Sequence, residues 1–361
     1  MEFGLSQEQR LFQDSIRRFL EQHSPLERVR RAADAKDAAP DELWDGLCAM
    51  GVPGLLIPEE FGGMGLGLLD AAIAYEMMGR HVTPSPFVGT SVMAPLALMH
   101  AGSPAQKEQW LPKLAAGKTR AGVGVSETIG ARESAGVDAR GGKLSGKALF
   151  VIDQAGADIF IVADRNRALH IIRADAAGLT TRALNTIDKT RSVGELVFES
   201  VAAEVLPEAN AGAITRMLDA GRVMLAADTL GAGQKMIDKA VAYAGERTQF
   251  GRVIGSFQAV KHMCAEMAAK LEPCRSLIWY AAHAFDEGLA DARVAACHAK
   301  SHLSEVGRFV ARTSTEVHGG MGFTDLLGLH YWFKRIGFDR QILGGPEHVR
   351  LEAARLQGWA A

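Results

Sequence analysis

Apolar residues enter this chain at helical spacing. Leu11, Phe12, Ile16, Phe19 and Leu20 follow Ser6 and Gln9, a serine–glutamine pair spaced to form a capping box at the start of a helix. Leu43, Trp44, Leu47 and Met50 mark one side of a second helix, closed by the breakers Gly51 and Pro53. Leu69, Ala72, Ile73 and Met77 mark a third, ahead of the loop HVTPSP. Ser103, Pro104 and Gln106 open a fourth with another capping box, and Gly117 supplies the left-handed stop. Residues 1–117 therefore read as an N-terminal helical domain.

The pattern then changes. Between residues 118 and 208 the runs AGVGV, ALFVI, IFIVAD, LHIIRAD and ELVFES are short, apolar and bounded by Gly, Asp or Asn, which is strand texture. ARGGKL predicts a hairpin turning on Gly-Gly. A middle antiparallel β-domain follows from these runs. From residue 209 to residue 361 helical periodicity returns over 217–247, 257–287 and 289–317, with a shorter pair after Thr324. Long helices on short loops predict an antiparallel helix bundle. The expected class is α+β, in the order helices, sheet, helices.

Composition adds limits. Of 361 residues, 48% are hydrophobic and 23% charged, an ordinary globular balance with ample length for more than one core. A formal charge of −2 offers no broad attraction for nucleic acid or an anionic membrane, so neither is an expected partner. No apolar stretch approaches a membrane span, and MEFGLSQEQR lacks the apolar core of a signal peptide, so a cytoplasmic location is expected. The four cysteines (Cys48, Cys264, Cys274, Cys297) have no metal-ligand spacing; they read as free thiols, and no metal site is expected.

Candidate chemistry concentrates in GERTQFGRVIGSFQAVKH, residues 245–262. Arg247 closes a long helix, a glycine-containing turn follows, and Gln258 begins the next helix. An arginine there can make charge-assisted bonds to a diphosphate, and a glutamine can donate and accept. A plain helix-turn-helix with its arginine favoured by the helix dipole explains the same residues.

This segment resembles the ER-x-x-FG-x-x-I-x-x-x-Q-x-V stretch of the acyl-CoA dehydrogenase family. LSQEQRLFQDSIRRFL, MGVPGLLIPEEFGGMGLGLLDAAIAYEMMG and KEQWLPKLAAGK resemble the family's N-terminal helices in order, so the likeness spans nearly the whole chain. It implies an FAD-dependent enzyme that desaturates an acyl-CoA thioester and passes electrons to electron-transfer flavoprotein. It also implies a homodimer or homotetramer, or a heteromer with a homologous chain. Arg247, Phe250, Phe257 and Gln258 would then bind the ADP half of FAD. In EVHGGMGFT, the residues Glu316, His318, Gly319 and Gly320 match a glycine-rich turn that touches the same flavin from a neighbouring subunit. Val125 and Ser126 match the flavin-contacting strand edge. Phe150 stands where the family often has tryptophan and Ile152 where it often has threonine, although both also suit a β-core. Thr128, Ile129 and Arg132 depart from the family's loop.

The family's reaction needs a carboxylate to take the α-proton and donors to polarise the thioester carbonyl. Its usual glutamate, in a Y-E-G-T-like turn, falls here on Gly344 of QILGGPEHVR. The alternative position, before an arginine of the first long C-terminal helix, falls on Gly221, with Arg222 retained as a substrate-side residue. Three readings stay open. A partner chain supplies the glutamate; or a displaced acid substitutes, with Asp228 two turns beyond Gly221 and Asp219 and Glu347 nearer in sequence; or the chain binds flavin or acyl-CoA without oxidising it. The Gly344 N–H can still serve a thioester carbonyl.

Overall fold

The structure, a computed structural model, describes residues 4–35, 40–125 and 135–360. Helices come first: α1 (Gln7–His23), α2 (Leu26–Ala35), α3 (Asp41–Ala49), α4 (Leu68–Arg80), α5 (Ala94–Ala101) and α6 (Pro104–Ala115). Strands follow: β1 (Ala121–Gly124), β2 (Gly136–Arg140), β3 (Lys143–Ile152), β4 (Ile159–Ala163), β5 (Leu169–Arg173), β6 (Leu179–Ala183), β7 (Val193–Ala202) and β8 (Glu204–Val205). Then come α7 (Ala211–Glu246), the small hairpin β9 (Thr248–Gln249) and β10 (Arg252–Val253), α8 (Gln258–Asp286), α9 (Ala292–His318), α10 (Leu329–Gln341) and α11 (Pro346–Leu356). The expected order of helices, sheet and helices holds. No helix among the described residues is long and apolar enough to cross a membrane.

Local chemistry starts and stops these elements. Ser6 Oγ accepts from Gln9 N at 3.1 Å while Gln9 Oε1 accepts from Ser6 N at 3.1 Å, and Ser103 and Gln106 repeat the exchange at α6. The bundle's first helix begins six residues before the predicted 217, because Asn210 Oδ1 accepts from Ala213 N at 2.9 Å and so caps it.

The elements gather into two compact units. One comprises Met1–Arg30, Ala72–Thr83 and Arg222–Ala361; the other comprises Arg31–Ala71 and Pro84–Gly221. In the first, α9 packs against α8, α10 and α11. Two glycines bring α4 and α7 together backbone to backbone. A Cβ on Gly79 would lie 2.1 Å from the Asp228 carbonyl oxygen, and one on Gly231 would lie 1.8 Å from that of Glu76. No other residue permits this approach, which fixes Asp228 deep in the bundle.

In the second unit the strand order is β6-β7-β3-β1-β4-β5-β8, with β2 paired to β3. Val137, Leu144, Val151, Phe160, Ile172, Leu196 and Phe198 form the buried core of this sheet. The β2–β3 hairpin turns on Gly141 and Gly142 at φ 56° and 72°, the left-handed pair that a two-residue turn needs. One expectation is corrected: the sheet is mixed, since β1 and β4 run parallel. The hairpin between them serves as the crossover that parallel neighbours require.

Candidate functional site

The end of α7 sets the first group of residues. Arg247 N donates to Tyr243 O at 2.9 Å, and Ile254 N donates to Arg247 O at 2.7 Å, which closes the β9–β10 hairpin against the helix end. Phe250 and Gly251 turn this hairpin at φ 53° and 77°. Phe250 is 93% exposed and meets the edge of the Phe257 ring, with centroids 6.2 Å apart. The Arg252 guanidinium lies 4.0 Å from the Phe257 centroid, and Gln258 Nε2 sits 2.7 Å from His262 Nε2. Arg247 and Gln258 are both exposed, so the hairpin presents a cation, an amide and an aromatic edge to an outside ligand.

The glycine-rich turn follows α9. Gly319 has φ 57° and ψ −140°, a conformation reserved for glycine, and a Cβ on Gly319 or Gly320 would meet nothing within 4 Å. Backbone N–H groups here can approach a diphosphate without side-chain obstruction. His318 is buried, stacks on Tyr243 at 4.7 Å and lies 2.7 Å from Ser314 O through Nδ1. Desolvation lowers its pKa, which favours the neutral ring, packed back against α9. Glu316 is exposed and lies 4.0 Å from Arg312.

In the sheet unit, Val125 follows β1 and is buried, whereas Ser126 lies outside the described residues. Thr128, Ile129 and Arg132 lie outside them as well. Phe150 sits at an irregularity of the β3–β7 ladder with φ 54°, 36% exposed. An aromatic residue held in the left-handed region is strained, and such strain gathers at ligand sites. Ile152 is only 4% exposed and has Val123 opposite it on β1, so its side chain belongs to the β-core.

The turn between α10 and α11 carries the residues expected at the substrate. Leu343 and Gly344 have φ 56° and 101°. Gly344 is buried, and its N–H finds no acceptor among the described residues. A buried orphan donor aimed at no protein group is a ready partner for a ligand carbonyl. Gly221 is buried within α7. The next residue, Arg222, has no exposed surface. Its Nε donates to Leu343 O at 3.1 Å, and its Nη2 lies 2.8 Å from a Glu352 carboxylate oxygen whose partner oxygen contacts Arg293 at 2.8 Å. Arg222 therefore grips the Gly344 turn from behind.

Glu352 and Glu347, near that turn, are held as anions. Burial works to raise the Glu352 pKa, but the bonds and charges of Arg222 and Arg293 outweigh it and hold the group low. Glu347 is lowered mainly by backbone N–H at the start of α11, with Arg340 adding to it at 3.1 Å. Asp228 accepts from Arg335 Nη1 at 3.2 and 3.3 Å, and neither side chain has exposed surface. Sealed in that pair, Asp228 offers a substrate proton no path, which removes the geometric basis for reading it as a substitute base. Sequence reasoning missed Arg335, Glu352 and Lys300. The signal for Lys300 was present, since it shares the apolar face of α9 with Ala296 and Cys297.

Two family models match the chain: acyl-CoA dehydrogenase, N-terminal domain, over residues 6–118, and acyl-CoA dehydrogenase, C-terminal domain, over residues 211–355. The chain is 31% identical to acyl-CoA dehydrogenase IpdE2 of Mycolicibacterium smegmatis over 97% of its own length and 99% of that protein's. Among solved structures, a variant of the Tcur3481-Tcur3483 steroid ACAD is 30% identical, with a TM-score of 0.88 over 97% of this chain and 98% of that one. Butyryl-CoA dehydrogenase from Megasphaera elsdenii, at 24% identity, shares the fold with a TM-score of 0.88 over 99% of this chain and 100% of that one.

Proposed function

The chain belongs to the acyl-CoA dehydrogenase family, and from that premise we propose that it desaturates a CoA thioester at an active site whose base comes from a partner chain. The family's chemistry is FAD-dependent acyl-CoA dehydrogenation, and the chain is an oxidoreductase of that type. The carrying observation is Gly344: it occupies the expected position of the base, has no side chain, and adopts φ 101°.

The residues present fit FAD. Arg247 and Gln258, both exposed, would meet the diphosphate, with Phe250 and Phe257 as apolar cover. Gly319 and Gly320 leave open space for close backbone approach, with Glu316 and the cap residue His318 on the same turn. Phe150 would offer its ring to the isoalloxazine, and Val125, Ser126 and Ile152 are carried over as flavin-side positions by the family resemblance. When bound, FAD supplies the acceptor for the hydride that leaves the β-carbon. The Gly344 N–H donates to the thioester carbonyl and so makes the α-proton acidic. Arg222 holds the turn that aims this donor. A carboxylate of the partner takes the α-proton; on this chain Glu347, Glu352 and Asp228 are paired with arginines, and Asp219 is buried.

Assembly is thus a heteromer with a glutamate-bearing homologue in preference to a homodimer or homotetramer, with electron-transfer flavoprotein as electron acceptor. The likeness to a steroid ACAD, itself named as a pair, supports both the pairing and a bulky, steroid-derived acyl group. A non-catalytic flavin- or acyl-CoA-binding subunit is the alternative. Co-expression with a glutamate-bearing homologue, followed by size-exclusion chromatography and flavin quantification, tests the pairing. A stable flavin-loaded heteromer is expected, and a flavin-loaded homomer that ignores the homologue contradicts it.

A further inference from the structure

Lys300 lies on α9 with 1% of its surface exposed, deep in the helical unit. Its Nζ donates to the carbonyl oxygens of Asp339 and, at 3.1 Å, Arg340, the last turn of α10. Four residues later stands Gly344. Arg222, on α7, holds Leu343 O from another direction at 3.1 Å. Two buried cations on separate helices therefore fix the segment 339–343 that ends at the orphan Gly344 N–H.

A lysine capping helix-end carbonyls is an ordinary arrangement at a surface, where it contributes a few tenths of a kcal/mol to about 1. Burial makes this one different. The charged groups facing Nζ are Asp339, Arg222 and Arg340. Burial pushes the ammonium down to about 7, with Arg222 and Arg340 acting in the same sense and Asp339 opposing them. Keeping such a group in place of an apolar side chain costs stability. The bond pattern shows what the group does: it directs the carbonyls of α10 and so the exit of the chain into the turn.

We infer that Lys300 is a positioning residue for the Gly344 N–H, acting with Arg222 to aim that donor at the thioester carbonyl. The inference rests on the proposed role of Gly344 in carbonyl polarisation. Since polarisation grows as the α-proton leaves, its loss falls on kcat more than on KM.

The test uses the flavin-loaded assembly and three substitutions. Lys300→Met keeps length without donors, Lys300→Gln keeps one donor group, and Lys300→Arg keeps charge and donors. Lys300→Met is expected to lower kcat about 10- to 100-fold, below the loss for removing an oxyanion donor outright, with KM within about threefold and flavin content unchanged. Lys300→Arg is expected to recover most of that loss, and Lys300→Gln part of it. Equal kcat in Lys300→Met and the parent overturns the inference, as does a loss that merely follows flavin content. Amide exchange on the purified chain gives a reading independent of turnover. Amides of residues 340–344 are expected to exchange at least about tenfold faster in Lys300→Met or, should that variant not fold, in Lys300→Gln; unchanged exchange overturns the positioning role. A parent assembly that binds flavin but never turns over defeats the dehydrogenase reading alone, leaving positioning to the exchange result.

Discussion

Asp228 and Arg335 form an ion pair with no exposed surface on either side chain, at 3.2 and 3.3 Å, and Arg335 also donates to Thr83 O at 3.2 Å. Removing one member leaves the other charge buried and alone. Asp228→Asn is therefore expected to destabilise the chain by about 3–5 kcal/mol in urea unfolding. Turnover per folded, flavin-loaded molecule should stay within about threefold of the parent, because a sealed pair takes no part in proton transfer. A stable Asp228→Asn protein with abolished turnover would contradict the structural assignment.

Restoring a carboxylate at Gly344 should fail. A residue with a Cβ would be held at φ 101°, with His348 Cδ2 and Val349 Cγ2 each 3.2 Å from that Cβ. Gly344→Glu is expected to cost about 1–3 kcal/mol and to give no substrate-driven flavin bleaching in the chain alone. Thermal melting and an anaerobic acyl-CoA titration check both halves.

Phe150 offers a way to separate strain from binding. Phe150→Gly and Phe150→Ala both remove the ring, but only glycine accepts φ 54° at no steric cost. The glycine variant should be more stable than the alanine variant by about 1 kcal/mol, despite glycine's greater freedom when unfolded. Flavin affinity should fall by the same factor in both. Unequal affinities would place the backbone, not the ring, against the cofactor.

Arg247→Ala should weaken FAD binding about 10- to 100-fold, the worth of one charge-assisted bond, and the parent's affinity should fall with added salt more steeply than the variant's. Equilibrium dialysis against FAD at two salt concentrations reads this directly.

Lys300 predicts a pH slope. Its folded pKa, about 7, lies below the unfolded value of 10.5, so between those limits the unfolded chain binds a proton that the folded chain does not. Stability from this group therefore rises as pH increases from about 7 towards 10.5 and is level below 7. Lys300→Met removes that rise, which a pair of urea-unfolding series across the window would show as a difference in slope.

Much of the fold was legible because the local signals are self-sufficient. Ser6–Gln9, Ser103–Gln106 and Gly141–Gly142 each specify geometry within four residues, and the structure uses all three. What stayed hidden lacks a local signal. Strand β6, LTTRA, is an edge strand with no buried residue and shows no apolar alternation; it exists through its pairing with β7. Helix α5 follows a π-helical turn, Val88–Met93, and is buried almost all round, so no amphipathic stripe announces it. The parallel β1–β4 pair is a matter of topology, not periodicity. At the site, Gly344 and Gly221 stand where the family resemblance places a carboxylate, and that substitution was legible in the sequence alone. The fate of Asp228 was not, because its partner Arg335 stands 107 positions away and the close approach at Gly79 exists only once α4 and α7 meet.

In the proposed assembly this chain provides the flavin-binding and carbonyl-polarising parts of a dehydrogenase, and a partner provides the base. Anaerobic titration with a steroid-derived CoA thioester, followed by flavin absorbance, tests it on the chain alone and on its co-expressed complex with a glutamate-bearing homologue. The expected result is no bleaching alone, full bleaching in the complex, and loss of that bleaching when the homologue's glutamate is changed to glutamine. Bleaching of the isolated chain would contradict the claim and place a working base within these 361 residues.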